Sequence, residues 1–290
     1  MNDYEIDKKQ LRRSFNRAAA DYDAAAVLQR EVCTRMLERL DYIKQQPAHI
    51  LDAGSGTGWG TRQLAAKYPA AHVVALDIAI GMLQNARSHS GWWKKLFGGA
   101  NQLQVCSDIE ALPLAANSVE MVWSNLAIQW CNDLPGTFVE LHRVLKTEGL
   151  LMFSTFGPDT LKELRLAFNG VDGHNHLNRF ADMHDIGDML IHAGFAEPVM
   201  DMEYLTLTYD DVRGVLYDLK RIGAHNATAG RGRGLMGKQA WAQLVENYER
   251  LRRDSKLPAT YEVVYGHAWK PAPQITPDGR AIIKTDFKLK

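Results

Sequence analysis

Apolar positions between residues 8 and 45 recur at helical spacing, with acidic and basic side chains on the outer face, and the pattern breaks at Gln45–Pro47. Short apolar runs then alternate with amphipathic stretches. Runs at 49–52, 73–77, 102–106, 119–124 and 150–155 read as strands, and the stretches after Gly58, at 80–87 and at 135–145 read as helices. Repeated strand and helix units predict an α/β, doubly wound parallel sheet with helices on both faces and ligands at the carboxyl ends of the strands. Beyond residue 155 the pattern predicts helices at 159–168 and 183–193 and a strand at 198–207. A helical insert at 210–253 and a strand at 261–269 follow, and from Pro271 a tail rich in Pro and charge is expected on the surface.

Composition narrows this picture. At 290 residues and 46% hydrophobic content the chain can bury a full core. No apolar run approaches the ~20 residues of a membrane span, and the charged N-terminus lacks an apolar segment after it, so a cytoplasmic protein without signal peptide or membrane association is expected. Lys and Arg total 34 and Asp and Glu 34, so no global field draws nucleic acid or anionic lipid. Cys33, Cys106 and Cys131 are odd in number and lack CxxC spacing. They argue against a disulfide framework or a thiolate metal site and read as three buried small apolar residues. No metal is expected.

The stretch "HILDAGSGTGWGTRQLAAKYPAAHVVALDIA" at 49–79 is one strand, loop, helix, strand unit. A dinucleotide fingerprint GxGxxG fails in it, because a start at Gly54 ends on Trp59 and a start at Gly56 ends on Thr61. What remains is Asp52 followed by Gly54, Gly56 and Gly58 at alternate positions around Ser55, a tight loop that lets backbone approach a ligand. No Lys with Ser or Thr follows, so a phosphate is not required. Asp77 ends the second strand, where a carboxylate can accept both hydroxyls of a ribose. Asp108 and Ile109, just past the third strand, can meet an adenine edge and face. This ordered set resembles class I S-adenosylmethionine-dependent methyltransferases over about residues 48–156, and the resemblance implies a seven-stranded Rossmann-like sheet. Its cofactor set is Asp52, Gly54, Ser55, Gly56, Gly58, Asp77, Ile78, Met82, Asp108, Ile109, Asn125 and Leu126. The fourth strand ends at Asn125 and Leu126 on the methyl-acceptor side, without the (N/D)PP(Y/F) of amine methylation. Gln129 and Trp130 are candidates to line the acceptor channel, the alternative for Trp130 being to pack under the next helix.

Methyl transfer from a sulfonium is an in-line displacement that needs alignment and exclusion of water. An alcohol acceptor needs a general base, whereas a carboxylate is already ionised at neutral pH. His142, His184 and His267 stand in unrelated segments and read as packed or surface residues, which favours a carboxylate acceptor.

The N-terminal "SFNRAAADYDAAAVLQREV" at 14–32 pairs Phe15 and Tyr22 with Arg17 in an alanine-rich setting, as a lid helix does. Together with "FGPDTLKELR" at 156–165, "MHDIGDMLIHAGF" at 183–195, "LKRIGAHN" at 219–226 and "YEVVYGHAW" at 261–269, it resembles the malonyl-acyl-carrier-protein O-methyltransferases of biotin synthesis over about residues 8–270. The resemblance implies methylation of the malonyl free carboxylate with S-adenosylmethionine as donor and S-adenosylhomocysteine as product. The partner is malonyl-acyl carrier protein or malonyl-coenzyme A, and Tyr22 closes over the cofactor. It divides the chain into lid helices at 1–46, a cofactor-binding core at 47–208, an insert forming a substrate lid at 209–258, and the last strand with its tail at 259–290. A carboxylate entering a dry pocket needs a cation or several N–H donors, and Arg17, Arg165 and Arg221 are the candidates, with Arg221 favoured. From 220 to 245 there is no carboxylate, while Lys220, Arg221, Arg231, Arg233 and Lys238 are cationic, so Arg231 and Arg233 are expected to meet the acidic surface of a carrier protein. RNA is the competing partner, but the stacking aromatics it favours are absent there. Another S-adenosylmethionine methyltransferase, or a silent scaffold on this fold, remain as alternatives. A scaffold is expected to lose the glycines or Asp77, and both are present. Trp92, Trp93, Lys94, Lys95 and Phe97 at 90–99 form an insertion to which no function is assigned.

Overall fold

The computed structural model describes residues 5–89, 102–172, 176–223, 227, 228, 230, 234 and 236–273. The insertion at 90–99, Arg231, Arg233, part of the stretch at 219–226 and the tail beyond 273 therefore lie outside the described residues. Three N-terminal helices, α1 (Lys8–Ala18), α2 (Tyr22–Ala25) and α3 (Val27–Arg39), precede the sheet. The single periodic stretch expected over 8–45 is thus broken twice. α1 ends in an alanine run whose small side chains carry no facing signal, and the Ala26 amide turns back onto the Tyr22 carbonyl before α3 begins.

β1 (His49–Ala53), α4 (Trp59–Lys67), β2 (His72–Asp77), α5 (Ile80–His89), β3 (Gln102–Cys106), β4 (Val119–Asn125), α6 (Leu134–Val144) and β5 (Leu145–Phe156) follow in alternation. After them come α7 (Lys162–Phe168), α8 (Met183–His192), β6 (Ala196–Tyr209), α9 (Val212–Arg221), α10 (Lys238–Glu249) and β7 (Leu257–Trp269). The seven strands order as β3-β2-β1-β4-β5-β7-β6. β1 to β5 pair in parallel, as the alternation predicts. β7 enters between β5 and β6 and runs antiparallel to both, so beyond the parallel strands β1 to β5 the sheet becomes mixed.

Central strands are buried on both faces. On β1 Ile50 joins a core with Met36, Leu64 and Trp123, while its neighbour Leu51 joins the opposite core with Leu76, Phe138 and Phe153. Successive side chains of one strand therefore feed two layers, which is why these runs read as continuous rather than alternating hydrophobics. Cys33 is buried and Cys131 half-buried, but Cys106 is exposed at the end of the edge strand β3, against the expectation for all three. No helix among the described residues is long and apolar enough to cross a membrane.

Candidate active site

The carboxyl ends of β1, β2, β3 and β4 meet at a cleft roofed by α1 and α2. The loop after β1 is shaped by glycines. Gly54 has φ +84°, and a Cβ there would lie 2.2 Å from the Ala127 Cβ, so the β1 loop touches the turn after β4 directly. Gly56 has φ +54° and faces the Tyr22 ring, whose Cε1 is 3.9 Å from where a Cβ would stand. Across from this loop Leu126 adopts φ +47°, a left-handed conformation costly for a branched residue. It is held by its amide, which donates to the Ser154 carbonyl and hydroxyl on β5. The turn that walls the cleft is thus locally strained.

The cleft has two connected chambers. One is lined by Gly54, Gly56, Asp77, Ile78, Met82, Asp108, Ile109, Asn125, Leu126 and Trp130, with Lys8, Leu11, Phe15 and Tyr22 from the N-terminal helices. The other shares Tyr22, Gly54, Gly56 and Asn125 and adds Asp52, Ser55 and Thr57, with Gln29, Arg30, Trp59 and Trp123. Gly58 borders neither chamber; with φ +77° it starts α4 behind them.

Asp77 is 8% exposed, and its two oxygens accept the amides of Gly56 and Ala79, each at 2.8 Å. Burial pushes its pKa up to about 6 against those two bonds. Each oxygen keeps a lone pair, so a vicinal diol can donate to the carboxylate as the amides do. Asp52, 2% exposed, accepts the Thr61 hydroxyl at 2.5 Å, and burial with the nearby Asp77 pushes it up to about 7. Tyr22 stands where the chambers join. Burial, with Asp77 and Asp23 adding to it, raises its pKa above the ordinary phenol range, so the hydroxyl stays a donor at neutral pH. Three buried polar atoms in the second chamber, Gln29 Oε1, Ser55 Oγ and Trp123 Nε1, have no hydrogen-bond partner among the described residues. Buried polar groups are rarely left so, and all three belong to residues that line this chamber.

Asp108 lines the first chamber as expected, but it is not free. Lys8 on α1 reaches its Oδ1 at 3.0 Å and also contacts Glu110. Burial pulls the Lys8 pKa down, and the acidic partners outweigh it, so the ammonium is held charged. Trp130 does not tuck under α6; it packs edge-on to Phe15 with ring centroids 5.6 Å apart and faces the first chamber. Gln129 donates to the Leu126 carbonyl at 2.7 Å and turns toward Thr155 instead of lining either chamber.

The three arginines expected to grip a carboxylate are placed elsewhere. Arg165 clamps the loop after β5 by bonding the carbonyls of Pro158 and Thr160. Arg221 lies over the exposed Tyr217 ring of its own helix α9, 5.7 Å from the centroid, and Arg17 is exposed on α1. None of them lines a chamber. Sequence reading missed Lys8, Leu11, Gln29, Arg30, Trp59 and Trp123. For Lys8, Leu11 and Phe15 a signal existed, since i, i+3, i+7 spacing puts them on one helix face. Among the described residues no histidine lines either chamber and no cluster that suits a metal ion occurs.

A mixed seven-stranded sheet with a glycine loop after β1 and an acid ending β2 defines the Rossmann-like methyltransferase class. Residues 51–153 match the methyltransferase domain family. The YcgJ protein from Bacillus subtilis shares the fold, with a TM-score of 0.58 at 16% identity over 82% of this chain and 98% of that one. The chain is 79% identical to the malonyl-[acyl-carrier protein] O-methyltransferase of Gallionella capsiferriformans (strain ES-2), with the whole of both chains covered. It is 60% identical to the enzyme of that name from Nitrosospira multiformis, over 96% of this chain and 95% of that one. The chain belongs to the malonyl-[acyl-carrier protein] O-methyltransferase family.

Proposed function

We propose that the chain transfers a methyl group from S-adenosylmethionine to the free carboxylate of a malonyl thioester on acyl carrier protein, and that the methyl ester primes pimeloyl synthesis for biotin. The 79% identity over the full length to a relative of that name is the observation that carries this reading. The cleft fits the donor: Asp77 offers two acceptors for a ribose diol, Ile78, Met82 and Ile109 offer apolar surface for a base, and the unsatisfied atoms of the second chamber suit an amino-acid end. When bound, the donor supplies an electrophilic methyl on a sulfonium.

The protein's own task is then alignment and desolvation, because a carboxylate acceptor needs no base. Leu11, Phe15 and Trp130 close the first chamber with apolar surface and exclude water. A malonyl carboxylate in such a place loses hydration worth several kcal/mol and needs donors to replace it. Tyr22 supplies one, its hydroxyl held protonated at the junction of the chambers. Tyr22→Phe should lower kcat/KM for malonyl-carrier protein about ten- to a hundredfold, the worth of one hydrogen bond to a charged group, while S-adenosylhomocysteine affinity stays within about twofold. An equal fall in affinity would make Tyr22 a cofactor wall instead.

The lid assignment of residues 1–46 and 209–258 has its own check. If α1 and α2 close over bound cofactor, limited proteolysis should cut within 8–26 in the empty protein and slow several-fold with S-adenosylhomocysteine. Equal rates would mean a permanently packed roof. The acceptor is tested by offering labelled S-adenosylmethionine with malonyl-carrier protein, malonyl-coenzyme A and bulk RNA together. Label in the malonyl thioesters supports the reading, and label in RNA refutes it.

A further inference from the structure

α1 presents two faces of opposite character. Leu11, Ser14 and Ala18 are buried, and Lys8, Leu11 and Phe15 look into the first chamber. On the solvent side stand Lys9, Arg12, Arg13 and Arg17, all exposed and spaced so that one helical face carries them. The helix contains no acidic residue, and among the described residues none of these four cations is in an ion pair. Several cations elsewhere on the surface are neutralised. Arg35 pairs with Glu31 and Glu203, Arg39 with Asp201, Lys67 with Asp41, Arg250 with Glu246 and Lys256 with Asp210. In a chain of zero formal charge, four unpaired cations on one helix are a local concentration of positive potential.

We propose that this solvent face of α1 is the docking surface for the acidic carrier protein, an inference that rests on the function proposed above. The helix is anchored for the purpose: Ile6 bridges Thr228, the Asp7 amide donates to the Ala227 carbonyl, and the Ile6 amide donates to Asn132. Its inner face walls the cleft, so a carrier seated on the outer face stands only about one helix diameter, roughly 10 Å, from the site its acyl arm must reach. A membrane is the wrong partner, since the apolar side of this amphipathic helix is already buried in the protein and has nothing to insert. RNA is disfavoured too, because the one aromatic of α1, Phe15, faces inward against Trp130 and away from the cations.

The test compares the full-length Lys9→Glu/Arg12→Glu/Arg13→Glu variant with Arg231→Glu/Arg233→Glu and wild type. The α1 variant should raise KM for malonyl-carrier protein about tenfold or more, with kcat at saturation and S-adenosylhomocysteine Kd unchanged. Added salt should raise the wild-type KM and leave that of the variant nearly flat. A KM that stays at the wild-type value, one that rises only together with the S-adenosylhomocysteine Kd, or an effect confined to the Arg231 and Arg233 variant overturns the docking surface. A wild-type chain that leaves malonyl-carrier protein unmodified overturns the functional reading along with it, whereas an active wild type with an unmoved variant overturns the surface alone.

Discussion

Replacing Asp77 by Ala should weaken S-adenosylhomocysteine binding by about 1.5–3 kcal/mol, because on the proposed function the carboxylate, buried at the end of β2, is the charge-assisted acceptor for the ribose hydroxyls. The effect carries a pH signature. Burial raises the Asp77 pKa to about 6, and the hydroxyl donors of a ligand favour the ionised form, so a proton competes with the ligand. Affinity should be full above pH 7 and fall as pH drops through 6, by about tenfold between pH 7 and pH 5. The sign for folding is the reverse. With a folded pKa raised above 3.8, the stability from this group is present below 3.8 and lost as pH rises through 6, so ligand should stabilise the fold most at pH 8. Calorimetry with wild type and Asp77→Asn at both pH values decides the matter: the variant should bind weakly throughout with a much smaller pH slope. Wild-type affinity in the variant would remove Asp77 from the cofactor site.

Gly54 and Gly56 should respond in opposite ways although they stand two residues apart. A Cβ on Gly54 meets the Ala127 Cβ at 2.2 Å, an atom fixed to backbone, and φ is +84°. Gly54→Ala should therefore damage the fold itself, by about 3 kcal/mol or more, read as a lowered Tm. A Cβ on Gly56 finds room, with only the Tyr22 ring at 3.9 Å. Gly56→Val should fold at a cost of about 1–2 kcal/mol for its left-handed backbone, yet lose S-adenosylhomocysteine binding because the valine methyls fill the junction beside Tyr22. Retained binding by Gly56→Val would show that the ligand does not pass between this loop and Tyr22.

The fold was legible where one local signal was enough. The strand at 102–106 has the ends its apolar run marks, and the glycine loop, Asp77, Asp108 and Ile109 all come to one cleft, because in a doubly wound sheet the carboxyl ends of successive strands are neighbours by topology. What was not legible depends on contacts between distant segments. Lys8 meets Asp108 across 100 positions, and nothing near either residue announces the pair. Gln29 and Arg30 on α3 reach the second chamber because the chain bends twice between α1 and α3, within an alanine run that carries no periodic signal. Arg221 was favoured for its place in a motif, but its side chain leans over Tyr217 on the outside of α9, a choice of rotamer and helix face that sequence does not encode locally. β7 was read correctly as a strand, yet its antiparallel insertion between β5 and β6 is a matter of long-range pairing.

The most direct test of the account is the intact mass of carrier proteins after incubation with the protein and S-adenosylmethionine. Malonyl-carrier protein should gain one methyl group, removable by mild alkali as an ester is, while acetyl-carrier protein, which has no free carboxylate, should gain none. A methyl on acetyl-carrier protein, or an unchanged malonyl-carrier protein under conditions where S-adenosylhomocysteine binds, would contradict it.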